Sequence, residues 1–150
     1  MEDKKLKIFH LPISSNATNT LRVHAFKNEI EKQGLAEMFI YDPDKDEEMS
    51  ESDLKRAISE SDLIMCRETP TPMVLLVREH FPRKRIIYDI DDNPWEVLPS
   101  STSYRTLGTE DVIIDNKPVW MTGITRDFNK YRNIWSLIQY DFMVAQADLV

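Results

Sequence analysis

Short runs of β-branched and aromatic residues alternate along this chain with longer segments whose apolar side chains recur every three or four positions. The first kind suits a buried strand and the second an amphipathic helix. Residues 6–11, LKIFHL, predict a first strand, which ends in a polar loop over 12–20. Val23, Phe26 and Ile30 then keep helical spacing to Gln33, and Gly34 stands where a helix ends in a left-handed cap. Residues 37–41, EMFIY, predict a second strand, and 42–50 an acidic surface connection. Ser50 or Ser52 can cap a short helix with Leu54, Ala57 and Ile58 inward. LIMC at 63–66 predicts a third strand. Thr71 followed by Pro72 opens another helix, which stops before Pro82, and 85–90 predicts the fourth strand.

Strands and helices in this rhythm require crossover connections and a mostly parallel sheet, the Rossmann-like doubly wound α/β class. In such sheets ligands bind beyond the carboxyl ends of the strands. That rule selects the 12–20 loop, the Arg67-Glu68 pair and the 89–93 stretch as places that converge on one crevice.

After Trp95 the rhythm breaks. Residues 96–124 read as an insertion: a Ser/Thr/Pro-rich excursion over 96–108, then a hairpin pairing 112–114 with 119–121 across Asp115-Asn116-Lys117-Pro118. Thr125 or Asp127 is expected to cap a long helix. Its stripe of Phe128, Tyr131, Trp135, Ile138, Phe142 and Ala145 reads as a packing surface, for the sheet, a further domain or a second copy. Residues 147–150, ADLV, look like the opening of a fifth strand. The chain is therefore expected to be one Rossmann-like domain over 1–150, forming the N-terminal half of a two-domain protein.

Composition narrows the partners. A net charge of −7 argues against unaided binding to nucleic acid, which needs clustered Lys and Arg, and Arg83-Lys84-Arg85 is too short a run to supply them. The single cysteine, Cys66, excludes an internal disulfide and points to a reducing cytoplasm; its apolar neighbours make it a core residue. No apolar run approaches the roughly 18 residues that span a bilayer.

Chemistry concentrates in RIIYDIDDNPW at 85–95, where an apolar strand runs into Asp89, Asp91, Asp92 and Asn93. Crowded carboxylates repel unless they hold a metal, share a proton or face a polar ligand. The plain alternative is that Asp92-Asn93-Pro94 makes a turn. Three enzymatic patterns share these letters. Asp89-Ile90-Asp91 matches the paired aspartates of the haloacid dehalogenase superfamily, with Asn93 where that family has Thr and the motif on the fourth strand rather than the first. It also matches the metal-holding Asp-x-Asp of single-sheet glycosyltransferases.

The third pattern covers nearly the whole chain. The element order, YDIDDNPW on the fourth strand, the Ser/Thr-rich insertion with its hairpin, and a long helix leading into QADLV resemble the N-terminal domain of GT-B-fold glycosyltransferases. That resemblance implies a domain binding a sugar acceptor, with the nucleotide-sugar donor held by a C-terminal domain and no essential metal or other cofactor. It implies Asp91 and Asp92 as the catalytic pair, in the place where many relatives have His-Asp. Carboxylates so paired can polarise an acceptor hydroxyl and face developing positive charge. Asp89, Asn93, Ser15, Asn16, Arg22 and Arg67 become candidate substrate contacts, although no glycine follows the first strand as it often does in relatives. A catalytically silent glycan- or partner-binding domain is the alternative of a different class, and a second copy of the chain, forming a homo-oligomer, is among the expected partners. His10 and His24 are isolated and read as structural or surface residues, and His80 as a helix-end charge.

Overall fold

Four of the apolar runs become one sheet: β1 (Leu6–His10), β2 (Ala36–Ile40), β3 (Leu63–Cys66) and β4 (Arg85–Tyr88), in the order β2-β1-β3-β4. Every neighbouring pair is parallel. Helices α1 (Ala17–Lys32), α2 (Glu51–Glu60) and α3 (Thr71–His80) supply the connections. The result is the Rossmann-like α/β architecture that the alternating pattern required. The computed structural model describes residues 5–11, 17–42, 49–67, 71–90, 93–118 and 128–150.

The chain divides into two compact units, 1–90 with 146–150, and 91–145. In the first, strand alternation sorts the core. Ile8 and Met38 pack with Ala36 and with Val23 of α1, and Leu63 and Met65 close around them. Phe9, on the opposite face of β1, stacks on Phe39 with ring centres 5.4 Å apart. Local chemistry sets the boundaries. Gly34 takes φ +71° after α1, a conformation costly for a residue with a Cβ. The Ser50 hydroxyl accepts the Asp53 N–H at 3.1 Å and caps α2. Lys84 donates to the carbonyls of Ser59 and Ser61 at the other end of α2, where the helix dipole favours a cation. Phe26 is an exception to the helical stripe: Val23 is buried, whereas Phe26 is exposed.

Both sheet edges are occupied. On β2 the outward Met38 N–H donates to Glu31 Oε1 at 2.9 Å and the Met38 carbonyl accepts from Lys27, so an ion pair of α1 masks backbone that another strand could use. On β4 the ADLV segment arrives as expected: Leu149 bridges Ile87 in parallel, and its carbonyl accepts the Tyr88 N–H at 2.9 Å. Asp148 anchors it, accepting the Ile86 N–H at 2.8 Å and Arg78 Nη2 at 3.1 Å. Cys66 lies in the core, as its neighbours implied.

The second unit contains a short helix α4 (Tyr104–Leu107), the strands β5 (Ile113–Ile114) and β6 (Lys117–Pro118), and α5 (Lys130–Gln146), whose last residue returns the chain to the first unit. Helix α4 was not anticipated within the 96–108 excursion. Its Tyr104 is buried, stacks on Phe128 at 5.8 Å and donates its hydroxyl to the Glu110 carbonyl at 2.8 Å. Buried Asn133 of α5 donates to the carbonyls of Gly108 and Arg105, tying α4 to the long helix.

Two details differ from the sequence reading. The hairpin turns on two residues, Asp115 and Asn116, with φ of 52° and 58°, so the second strand begins at Lys117 rather than 119. Asp and Asn tolerate that left-handed geometry, which selects the tight primed turn. Helix α5 is capped by Asn129, whose Oδ1 accepts the Arg132 N–H at 3.0 Å; Thr125, Asp127 and residues 119–121 lie outside the described residues. The aromatic stripe is split: Phe128 stacks on Tyr104, whereas Tyr131, Trp135 and Ile138 are exposed among the described residues, and α5 buries Asn133 and Met143. No helix among the described residues is long and apolar enough to cross a membrane.

Candidate functional site

Strand order locates the site. From β1 the chain moves outward to β2, then crosses back to β3 and β4 on the other side, so the direction of progression reverses between β1 and β3. Parallel sheets open a crevice at such a reversal, beyond the carboxyl ends of the strands. His10 is the last residue of β1, Arg67 follows the last residue of β3, and Asp89 follows the last residue of β4. Backbone pairing carries past the strand ends and holds these positions in register: Leu11 N–H donates to the Met65 carbonyl and Asp89 N–H to the Cys66 carbonyl, both at 2.9 Å.

Two guanidinium groups meet the Asp89 carboxylate. Arg67 Nη1 donates to Oδ2 at 2.8 Å, and Arg22 Nη2, from the second turn of α1, reaches Oδ1 at 3.3 Å. The two arginines differ in setting. The Arg67 side chain is 3% exposed and that of Arg22 is 52%, with Asp89 between them at 21%. A guanidinium this deep requires a carboxylate partner, because an unpaired buried charge is costly. Asp89 therefore serves as the counter-ion of Arg67 while keeping part of its surface open to a ligand.

His10 completes the cluster. It is fully buried, its Nδ1 hydrogen-bonds the Leu11 carbonyl, and its Nε2 has no partner among the described residues. Burial pushes its pKa down, opposed by the Leu11 carbonyl and the Asp89 charge and reinforced by Arg67 and His24. With Nδ1 as donor, the neutral ring carries its lone pair on Nε2. The open members of the cluster, Asp89 and Arg22, present a carboxylate acceptor and a cation, a set suited to hydroxyl-bearing or anionic ligands, whereas His10 and Arg67 are buried.

Of the residues singled out from sequence, Asp89, Arg67 and Arg22 are brought together at one edge. Asp91, Asp92, Ser15 and Asn16 lie outside the described residues, as does Glu68, the neighbour expected to neutralise Arg67; the partner described for Arg67 is Asp89. Asn93 belongs to the second unit and does the work of a turn: its Oδ1 accepts the Trp95 N–H at 3.1 Å. His24 is exposed on α1. His10, read as an isolated residue, is a member of the cluster; its place at the end of the first strand was the available signal, since the same end-of-strand rule selected Arg67 and Asp89. No group of three or more acidic, His or Cys side chains suited to a metal occurs among the described residues.

The fold and this edge define a Rossmann-like α/β protein with a charged cluster at the carboxyl end of its sheet. Compared with protein-family models, with curated proteins and with solved structures, the chain matches none.

Proposed function

We propose that this chain is the acceptor-side domain of a GT-B-type glycosyltransferase, holding the hydroxyl-bearing substrate that receives a sugar from a nucleotide-sugar donor. The observation that carries the reading is the Arg67 to Asp89 pair, 2.8 Å long, at the carboxyl end of a parallel sheet beside its reversal point. It stands in the strand-end motif YDIDDNPW through which the chain resembles that family. In this reading Asp89 accepts hydrogen bonds from acceptor hydroxyls and Arg67 keeps the carboxylate oriented, with Arg22 at the mouth. Asp91 and Asp92 activate the attacking hydroxyl and face the positive charge that develops on the transferred sugar, a role for which a carboxylate pair is chemically suited. Asn93, Ser15 and Asn16 are further acceptor contacts. The donor diphosphate is assigned to a second domain, the metal requirement to none, and the compartment to the cytoplasm on cysteine usage.

The test is turnover of UDP- and GDP-sugars by the gene product carrying this chain, followed by release of nucleoside diphosphate, with and without chelator. Asp91→Asn and Asp92→Asn are expected to lower transfer at least a hundredfold with the circular dichroism spectrum unchanged. Full turnover in both variants removes these residues from the reaction, and no turnover of any sugar nucleotide by the unmodified protein defeats the reading.

A further inference from the structure

Trp95 closes the YDIDDNPW motif, yet its indole is neither buried nor loose. Its Nε1–H donates to Asp141 Oδ1 of α5 at 2.9 Å, and its ring meets Tyr140 edge to face, with centres 6.4 Å apart and planes at 70°. The backbone is pinned as well, since the Trp95 N–H donates to Asn93 Oδ1 at 3.1 Å. Two contacts from α5, 46 residues along the chain at Asp141, therefore fix the orientation of the ring, and a third, from Asn93, holds its backbone. Even so, the residue remains 43% exposed. A tryptophan retained for packing would hide its large apolar surface, which is the main energetic return from the side chain. Here the anchors orient the ring and leave apolar surface in water.

The polar groups bonded to Trp95, one at its indole and one at its backbone, complete a recognisable chemistry. Asp141 is exposed, and its Oδ2 has no hydrogen bond among the described residues; Asn93 is exposed and keeps its Nδ2 in the same condition. A flat π face flanked by a carboxylate oxygen that accepts and an amide nitrogen that donates matches a pyranose. The C–H bonds on one face of a sugar ring carry partial positive charge and rest on the electron-rich indole, while the equatorial hydroxyls reach planar polar side chains at its margin. A purely apolar partner would leave Asp141 desolvated and unsatisfied, and an anionic one would meet its negative charge.

We infer that Trp95, oriented by Asp141 and Tyr140, is a stacking platform for a neutral saccharide ring, with Asp141 Oδ2 and Asn93 Nδ2 as its hydroxyl contacts. The inference rests on the proposal of a sugar acceptor and names the class: an uncharged pyranose presenting one C–H-rich face.

The protein labelled with 5-fluorotryptophan carries three fluorine reporters, Trp95, Trp120 and Trp135, with Trp95 assigned through Trp95→Phe. Titration with the methyl glycosides of glucose, galactose, mannose and N-acetylglucosamine is expected to shift the Trp95 signal saturably with at least one of them. Trp95→Leu should weaken that sugar by about tenfold, the scale of one aromatic stack, while Trp95→Tyr stays within about threefold. Because Trp95→Leu can disturb α5, Asp141→Asn is the second variant: it retains an oxygen for the indole N–H but replaces the outer acceptor by a donor. It should lose affinity several-fold with an unchanged melting temperature. Saccharide binding, read by saturation transfer, that is indifferent to both Trp95→Leu and Asp141→Asn overturns the platform and leaves the transferase reading standing. Trp95-dependent saccharide binding without any sugar-nucleotide turnover supports the platform and defeats the transferase. Absence of saccharide binding by every readout overturns the platform.

Discussion

Arg67 and Asp89, 22 residues apart in sequence, form a 2.8 Å ion pair across the ends of two adjacent parallel strands, with the guanidinium buried and the carboxylate partly open. The pair is asymmetric: Arg67 is buried where it meets Asp89, and the partly open Asp89 is also reached by the half-exposed Arg22.

Asp89→Ala should therefore destabilise the first unit by roughly 3 kcal/mol, since it strips a buried guanidinium of this carboxylate. Arg22→Ala removes only a half-exposed partner and should cost less than about 1 kcal/mol. Urea unfolding of both variants measures the difference; equal losses would mean that the Arg22 contact, and not the buried Arg67 pair, carries the effect of Asp89.

His10 makes stability depend on pH. Burial holds the folded imidazole below its ordinary 6.5, so below that pH the unfolded chain binds more protons than the folded one. The contribution of His10 is intact above pH 6.5 and is lost as pH falls through the folded value, with a slope of up to about 1.4 kcal/mol per pH unit. The groups that face it electrostatically are Asp89, Arg67 and His24. His10→Asn should flatten the change in urea midpoint between pH 7 and 5, and an unaltered profile would exclude His10 as its source.

Asp148 holds the last residues against β4 through the Ile86 N–H and Arg78. The Ile86 N–H and then Arg78 keep its carboxyl below the usual range, so the clamp is strongest above that range and weakens as acid titrates it through the lowered value. Asp148→Ala should free the Leu149 bridge and speed exchange of the Tyr88 amide, which donates to the Leu149 carbonyl, by roughly tenfold, one hydrogen bond's worth. Hydrogen exchange read residue by residue is the measurement, with the Ile8 amide as the reference that stays unchanged.

Gly108 follows α4 with ordinary φ, yet a Cβ there would lie 2.5 Å from the Tyr104 ring. That ring is held by Phe128 and by the Glu110 carbonyl and has little room to yield. Gly108→Ala should cost about 1 to 3 kcal/mol by overpacking. The near-ultraviolet circular dichroism of the aromatic side chains, to which the stacked Tyr104 contributes, should lose intensity, whereas the far-ultraviolet signal stays.

Much of this protein was legible before any coordinates. Strand-sized apolar runs such as LIMC and helix signals such as Ser50 and Gly34 act over a few residues, so they survive in the sequence as short patterns; β3 begins and ends where its pattern does. The parallel class followed from the alternation of such runs, and the end-of-strand rule singled out Arg67 and Asp89 without showing that they touch. What required the tertiary structure was everything carried by pairs distant in the chain. Strand order brought β1 beside β3 and so drew His10, apparently isolated, into a charged cluster. Two adjacent left-handed residues moved the hairpin register by more than strand propensity could reveal. Helix periodicity marked the aromatic stripe of α5 but could not say what would cover it, because a 3.6-residue repeat reports only that one face differs from the other. Only the folded chain showed Tyr131 and Trp135 exposed while Asn133 and Met143 are buried, and Trp95 fixed by an aspartate 46 residues away.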